Sequence, residues 1–361
     1  MPSGSWVVAG LCATVLAAWP GSAGASGYRV EDLGSLGGSY GRARAVNAAG
    51  QVVGEAYTVS NVEHAFLWSG GVVSDLGTLG GLRSRAYDVN SSAQVVGYAQ
   101  NVAGVAKPAL WDGGLVQELP TLGGPSGAAW GVNDSGLAVG NAYVTQSTYH
   151  AALWDDGVAT DLGTLGGDYS IAYDINASEQ IVGSADDLLG NEWASLWSGG
   201  TVRNLGGLPG GTWSAARGIN DAGQVILWGN TTGGASHAAL WENSLVTDLG
   251  TFGGEDSWAY GLNNLGHVVG WAELLQGTYH AFVYNGLAMT DLGTLGGLFS
   301  SAYGVNDEGV IAGAAQSADG RWHAVRWVPV PEPGMVLVMA VCCAAALGGR
   351  KNRYFGIRTR R

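Results

Sequence analysis

Cysteine is nearly missing from this sequence. Cys12, Cys342 and Cys343 are its three cysteines, and all lie in apolar stretches near the two ends. The long segment between them has no disulfide framework and no thiolate metal site, so packing must hold it together. Charge is sparse as well, at 12% of residues. With 47% hydrophobic residues, fifteen Trp and fourteen Tyr, the chain is too apolar and too aromatic to be disordered. Basic residues are scarcest where most of the chain lies: six of the sixteen fall in residues 350–361, leaving ten against 29 acidic residues, a net charge of −19 ahead of that tail. A phosphate backbone needs a basic footprint, so this balance argues against nucleic acid as a partner. It suits a solvated extracellular surface with cations or neutral glycans nearby.

Catalytic and cofactor motifs are missing too. There is no Gly-x-Ser-x-Gly elbow, no His-Glu-x-x-His and no EF-hand or nonapeptide calcium pattern. The Gly-Gly pairs, from Gly37-Gly38 to Gly296-Gly297, lead into no Lys-Ser/Thr and no helix, so they mark tight turns rather than phosphate loops. Asp186-Asp187 and Glu255-Asp256 are adjacent carboxylates without a visible partner. The expectation is a chain without catalytic residues, metal or cofactor, and so not an enzyme.

What the sequence does contain is one phrase said seven times. Asp-Leu-Gly-Thr-Leu-Gly-Gly, or a close variant, begins at Asp32, Asp75, Glu118, Asp161, Asn204, Asp248 and Asp291, with spacings of 43 residues and once 44. A period in the low forties is the mark of a repeat architecture. Within the unit from Asp75, Ser84–Val89 is half apolar, Asn90–Ala93 is a turn and Gln94–Ala99 is β-branched. Pro108–Trp111 follows, then Asp112-Gly113 and Leu115–Leu119. Four short strands, a to d, are the content of a propeller blade. The first phrase is a lone d strand, Tyr28–Leu33, and the last c strand, His323–Trp327, has no d strand after it. The expectation is an all-β, seven-bladed propeller over residues 26–329, closed by its N-terminal strand, which leaves no edge exposed. A β-solenoid is the alternative.

Placing the c–d turns at Ser69-Gly70, Asp112-Gly113 and Asn285-Gly286 sets His64 opposite Asp75, His150 opposite Asp161, His237 opposite Asp248 and His280 opposite Asp291. His323 then meets Asp32 across the closure. Lys107 faces Glu118, and Trp193 faces Asn204, so charge stays opposite charge, as cross-strand pairing requires. These histidines read as structural pairs, because equivalent positions in a ring point to different places. His267, off this pattern, reads as a surface variant. Trp68, Trp111, Trp154, Trp197, Trp241 and Trp327, with Tyr284, end the c strands and read as inter-blade packing.

Two surfaces are candidate binding sites. Three residues before each turn Asn stand Arg44, Tyr87, Trp130, Tyr173, Arg217, Tyr260 and Tyr303, each preceded by Ala. On the innermost strand such residues would line or crown the channel and could stack against sugar rings; the alternative is inter-blade packing. The b–c loops, among them Tyr57–Glu63 and Asp186–Glu192, vary most between units, and binding often resides in variable loops on a constant scaffold.

The two ends read as address labels. Residues 1–25 have the form of a signal peptide: Trp6–Ala18 is apolar, Pro20-Gly21 breaks it and Ala23-Gly24-Ala25 is an A-x-A cleavage site, although no Lys or Arg precedes the apolar run. A buried N-terminal strand is the alternative. At the other end Val330-Pro331-Glu332-Pro333 precedes an uncharged run at 334–349 and then Arg350, Lys351, Arg353 and three further arginines. Residues 330–361 resemble the PEP-CTERM sorting signal of Gram-negative-type bacteria. That resemblance implies an exosortase-type partner, export, and membrane attachment through a C-terminal helix, transient if the tail is removed and permanent if it is kept. His-Ala-Phe-Leu-Trp at 64–68 and His-Ala-Ala-Leu-Trp at 150–154 and 237–241, with the repeated phrase, resemble the bacterial extracellular HAF repeat family. Lys107-Pro108, Trp193-Ala194-Ser195 and Leu227-Trp228 depart from its pattern. The expected protein is a monomeric surface or matrix component that binds exopolysaccharide, with a structural or protein-binding envelope role as the alternative. A polysaccharide hydrolase or lyase working through axial residues is the remaining reading.

Overall fold

The computed structural model describes residues 27–330. They form seven four-stranded antiparallel sheets. The first blade comprises Gly37–Val46, Val52–Thr58, Glu63–Ser69 and Val72–Asp75, strands a to d from the axis outward. The seventh takes Gly296–Val305, Ile311–Ser317 and Trp322–Pro329 from the end of the chain, and its d strand is Tyr28–Gly34 from the beginning. Val30 pairs with Trp327 and Asp32 with Val325. The molecule is therefore a closed seven-bladed propeller, and a solenoid is excluded. Residues 1–25, read from the sequence as a signal peptide, and Pro331 to Pro333 and the basic residues Arg350, Lys351 and Arg353 lie outside the described residues. Val330, where the expected sorting signal would begin, donates its N–H to Gly27 O. Among the described residues no helix is long and apolar enough to cross a membrane.

Each interface between consecutive blades holds its own apolar cluster. Leu33, Ala43, Phe66 and Trp68 meet Ala312 and Ala324 where the seventh blade meets the first, and six similar clusters complete the ring. Trp68, Trp111, Trp154, Trp197 and Trp327 are buried there, while Trp241 and Tyr284 are partly buried against the same clusters. Near the axis the wedge between blades narrows. The Ala that precedes each channel residue is fully buried, and the strand-b residue opposite Ala43 is Gly54, where a Cβ would lie 1.9 Å from Arg42 O. The fifth blade puts Leu227 in that place, opposite Ala216 and fully buried, yet keeps all four strands.

A serine clip also joins the blades. Ser84, Ser170, Ser214, Ser257 and Ser300 each accept a hydrogen bond from a c-strand N–H of the preceding blade, for example Ala65 N to Ser84 Oγ at 2.9 Å. Each hydroxyl donates in turn to a glycine carbonyl of the d–a turn, as Ser84 does to Gly77 O.

The c–d register differs from the expected one. Asp75 stands opposite Phe66, not His64, and the two central turn residues are Gly70 and Gly71. Both have positive φ, +58° and +92°. A two-residue hairpin turn that matches strand twist requires this at both positions, which favours Gly-Gly over Ser-Gly. His64 is therefore the diagonal neighbour of Asp75. It still reaches it, with Nδ1 2.8 Å from the carboxylate. The same 2.8 Å contact joins His150 to Asp161, His237 to Asp248, His280 to Asp291 and His323 to Asp32. Lys107 Nζ lies 3.1 Å from Glu118, whereas Trp193 turns its indole N–H to Asp187. These half-exposed pairs should contribute little: His150→Gln is expected to lower unfolding free energy by under about 1 kcal/mol. A urea-melt loss above about 2 kcal/mol would show that the pair carries more than surface screening allows.

Candidate functional site

In all seven blades the a–b pairing slips by one residue next to the axis, between Ala43 and Ala45 in the first and at the equivalent place in the rest. A β-bulge of this kind inserts one unpaired residue and re-aims its side chain. The extra residues are Arg44, Tyr87, Trp130, Tyr173, Arg217, Tyr260 and Tyr303. All seven line one axial cavity of about 420 Å³.

Each touches the next. The Arg44 guanidinium lies 5.7 Å from the Tyr87 ring centre, Tyr87 stacks on Trp130 at 4.0 Å, and Trp130 meets Tyr173 edge-on at 5.6 Å. Arg217 lies 3.9 Å from the Tyr173 ring and 5.8 Å from Tyr260, Tyr260 is 5.0 Å from Tyr303, and Arg44 closes the circle 5.0 Å from Tyr303. The seven thus pack between blades and also present faces to the cavity, so the two sequence readings of this series describe one arrangement.

Strand-b residues support the ring from behind. Trp130 Nε1 donates to Asn141 Oδ1, and Trp271 Nε1 to the Tyr260 hydroxyl. Arg44 binds Glu55 at 2.8 Å; burial works against its charge, but Glu55 outweighs it and holds the guanidinium above its ordinary value. Burial pushes the Tyr87 hydroxyl up to about 12. Arg217 has no carboxylate partner among the described residues, and its Nε is buried without a hydrogen bond.

The cavity opens at the a–b turns. This is the end opposite the b–c loops, the second surface that variability suggested. Above the ring comes a layer with few side chains: Ala45, Asp88, Gly131, Asp174, Gly218, Gly261 and Gly304. The glycines reflect close approach of backbones, since a Cβ on Gly131 would lie 2.9 Å from Tyr173 O. Asp88 accepts from Val89 N and Val132 N, and Asp174 from Ile175 N and Ile219 N, at 2.8–2.9 Å. Burial pushes Asp88 up to about 6, and burial together with the charge of Asp88 pushes Asp174 up to about 7. Asp134, Asp221, Asp307 and Glu308 stand at the mouth.

The raised carboxyls set the sign of a pH effect. Between the carboxylate range of the unfolded chain and these values, the folded state holds protons that the unfolded state has lost. Stability is then greatest below the unfolded value and falls as pH rises through about 6 to 7. The urea midpoint should be higher at about pH 5 than at about pH 8, and Asp88→Ala/Asp174→Ala should flatten that difference. A double variant with the native pH profile would show that other groups set it.

A second ring was not recognised in the sequence. Asn47 Nδ2 donates to Asn90 O, and the same bond runs through Asn133, Asn176, Asn220, Asn263 and Asn306 back to Asn47, at 2.9–3.3 Å. In every blade the Asn Oδ1 also accepts from the backbone N–H four residues on, which builds the a–b turn. The signal was an Asn recurring every 43 or 44 residues; read as a turn residue, it gave no hint of its inter-blade bond. Asp88 and Asp174 left no periodic signal.

At the closure seam the structure brings three groups into line. Ser317 Oγ lies 3.1 Å from His323 Nε2, and His323 Nδ1 lies 2.8 Å from Asp32. This is the order of a nucleophile, base and orienting acid. Ser317 Oγ also binds Asp319 and the Arg321 carbonyl within its own loop. The five His–Asp pairs stay on separate blades, and no group of three or more His, Cys, Asp or Glu among the described residues could hold a metal ion.

No protein-family model matches the sequence, and no curated protein is significantly similar to it. Solved propellers share its fold. A Mycobacterium tuberculosis puromycin-hydrolysing peptidase superposes with a TM-score of 0.56 at 13% identity, covering 85% of this chain and 55% of the peptidase. This chain therefore spans about half the length of that protein. An Aleuria aurantia lectin in complex with Fucα1-6GlcNAc gives a TM-score of 0.40 at 10% identity, covering 81% of this chain and 95% of the lectin. A Xanthomonas campestris gluconolactonase gives 0.40 at 9%, covering 85% and 91%. At 13% identity the likeness to the peptidase is one of fold alone. The peptidase corrects one expectation. A propeller of this form occurs within a hydrolytic enzyme, so missing sequence motifs do not make this chain a non-enzyme.

Proposed function

We propose that the chain is an exported HAF-repeat propeller, addressed by a PEP-CTERM-type tail to the cell surface or matrix, that binds a glycan of the extracellular polysaccharide in its axial cavity. The observation that supports this is the floor of that cavity. Aromatic faces and two guanidiniums meet around the axis in a space of about 420 Å³, within the roughly 300–1,000 Å³ common for small-molecule sites. A pyranose has an apolar face for stacking and a rim of hydroxyls for Arg, Asp and Asn. A cavity of this size takes a terminal sugar or a short branch, not the middle of a rigid polymer.

The test is a titration of the full chain with oligosaccharides from the host's own polysaccharide, followed by tryptophan fluorescence with product analysis alongside. Saturable binding is expected. Trp130→Ala/Tyr173→Ala should weaken it by roughly thirtyfold or more, about 2 kcal/mol for removing a central aromatic platform, while circular dichroism shows the sheet intact. Unchanged affinity in that variant would overturn the axial site. No binding by a folded native chain would overturn the glycan reading.

A further inference from the structure

We infer that the seam between the last blade and the first holds a second, separate sugar site, where a ligand hydroxyl does the work that a serine does at the other junctions. The site lies apart from the axial cavity and shares with the glycan reading above only the class of ligand.

Serine and backbone N–H go together around the ring. At five junctions a c-strand N–H meets the serine of the next blade, which passes the bond on to a d–a turn carbonyl. Where the second blade meets the third, Pro108 brings no N–H, and Gly127 stands in the serine's place with its Cβ position 2.9 Å from Pro108 Cγ. Among the described residues the seam alone breaks this pairing. Ala324 keeps its N–H and Gly34 its carbonyl, but the a-strand residue facing them is Gly41.

A Cβ on Gly41 would lie 3.2 Å from Ala324 N and 3.6 Å from Gly34 O, so both groups border the space a side chain would fill. The fourth blade has the same register, with Ala194 opposite Gly206, and there Ser214 Oγ joins the two at 2.9 and 2.7 Å. A ligand hydroxyl can join Ala324 and Gly34 likewise, accepting from the N–H and donating to the carbonyl. Buried backbone groups gain from such pairing.

The aromatic residues beside the seam differ as well. Tyr149 packs on Tyr169 at 4.9 Å where the third blade meets the fourth, and Tyr279 on Phe299 at 4.8 Å where the sixth meets the seventh. Trp322 and Tyr40 hold those positions at the seam. Tyr40 packs instead on Tyr57 of its own blade, at 5.0 Å. Trp322 and Tyr40 both line a pocket of about 220 Å³, together with Gly34, Gly41 and His323. It is smaller than the axial cavity, which suits a single sugar ring. Aromatic surface gives the apolar face of a pyranose a place to rest, and the hydroxyl between Ala324 and Gly34 fixes its orientation.

The pocket selects a neutral sugar. Its charged groups have partners of their own: Asp32 faces His323, and Arg321 Nε lies 3.4 Å from Asp319. The His323 ring is held on its other side by Ser317 at 3.1 Å, so that wall is set before a ligand arrives. A uronic acid or an amino sugar would compete with these pairs, whereas a neutral ring leaves them intact. Trp322 follows the last b–c loop and Ser35 lies in the d–a turn, so the pocket lies at the face opposite the axial mouth.

The test titrates methyl glycosides of neutral hexoses, deoxyhexoses and pentoses into the full chain carrying Trp130→Ala/Tyr173→Ala, which removes the axial platform. Saturation-transfer NMR identifies the binders and calorimetry gives the Kd. At least one glycoside is expected to bind with a Kd of about 1 mM or tighter, ordinary for a ligand of this size. Adding Gly41→Ser, the residue five other junctions carry, should weaken it at least about tenfold. The urea midpoint should meanwhile stay level or rise, because the serine completes the clip. Trp322→Ala should cause the same loss without touching that clip. Binding that survives both substitutions overturns the inference. Glycerol bound as tightly as any glycoside also overturns it, because the pocket would then take a hydroxyl without recognising a sugar. If no glycoside binds the folded axial variant while the native chain binds the host polysaccharide, the seam site falls and the axial reading stands. Seam binding without any binding of that polysaccharide by the native chain leaves the reverse.

Discussion

Removing residues 27–34 is expected to abolish the cooperative unfolding transition and leave an aggregating chain. These residues supply the outer strand of the last blade, and among the described residues every other strand is already placed in a sheet. Without them Trp327 and Val325, both fully buried, lose their cover. Leu33, which is buried, and the partly buried Tyr28 and Val30 no longer pack. Their burial is worth about 5 kcal/mol in sum at roughly 1.5–3 kcal/mol per large side chain. Glu31 to Arg326 and Asp32 to His323, two contacts across the seam, go as well. A domain's whole stability is typically about 5–15 kcal/mol, so the loss takes most of it, and the bared strand invites pairing with other chains. The readout is the urea transition together with light scattering. A synthetic peptide of residues 27–36 added in trans should restore a cooperative transition. Wild-type unfolding by the truncated chain would mean that closure by this strand contributes little.

The second large effect concerns the asparagine ring. Asn176 is almost fully buried, and its amide makes four hydrogen bonds: to Asn220 O, to Gln180 Oε1, and from the N–H groups of Ser178 and Gln180. Asn176→Ala leaves those partners unmatched in a dry place, at about 1 kcal/mol per bond and more where a buried group stays unsatisfied. The expected loss is about 3 to 4 kcal/mol in urea melts, against under about 0.5 kcal/mol for the exposed control Val158→Ala. The same substitution at Asn90 or Asn263 should cost a similar amount, since each is one link of the same circle. An Asn176→Ala chain within about 1 kcal/mol of native would show that the turn alone, not the inter-blade bond, uses this residue.

Much of the architecture was legible because the repeat makes it so. A phrase recurring every 43 residues, with a d strand before the first unit and a missing one after the last, specifies seven blades and their closure without reference to any side-chain contact. The positions of the channel series were legible too, three residues before each turn Asn and one after a buried Ala. Their convergence was not. It depends on a bulge in each a–b pair, and a bulge is a register slip between two strands that neither strand encodes alone. The c–d register was misjudged for a similar reason. Ser69-Gly70 and Gly70-Gly71 are both plausible turn centres in sequence, and the positive φ required at both central positions selects the second.

What the repeat does not carry lies where its pattern is broken. Asp88 and Asp174 interrupt a layer of glycine and alanine in two blades only, so periodicity conceals rather than reveals them. Ser317, His323 and Asp32 come from the two ends of the sequence and meet only because the ring closes. The sequence by itself determined the number of blades, their strand order, the closing strand and the acidic surface, because each follows from local pattern repeated at a fixed period. Only the tertiary structure decided which residues face the axis, how the asparagines link blade to blade, and where charge goes unpaired. Those properties arise from packing seven wedges about one line, where backbones approach until most of them can carry no side chain and the few that remain define the site.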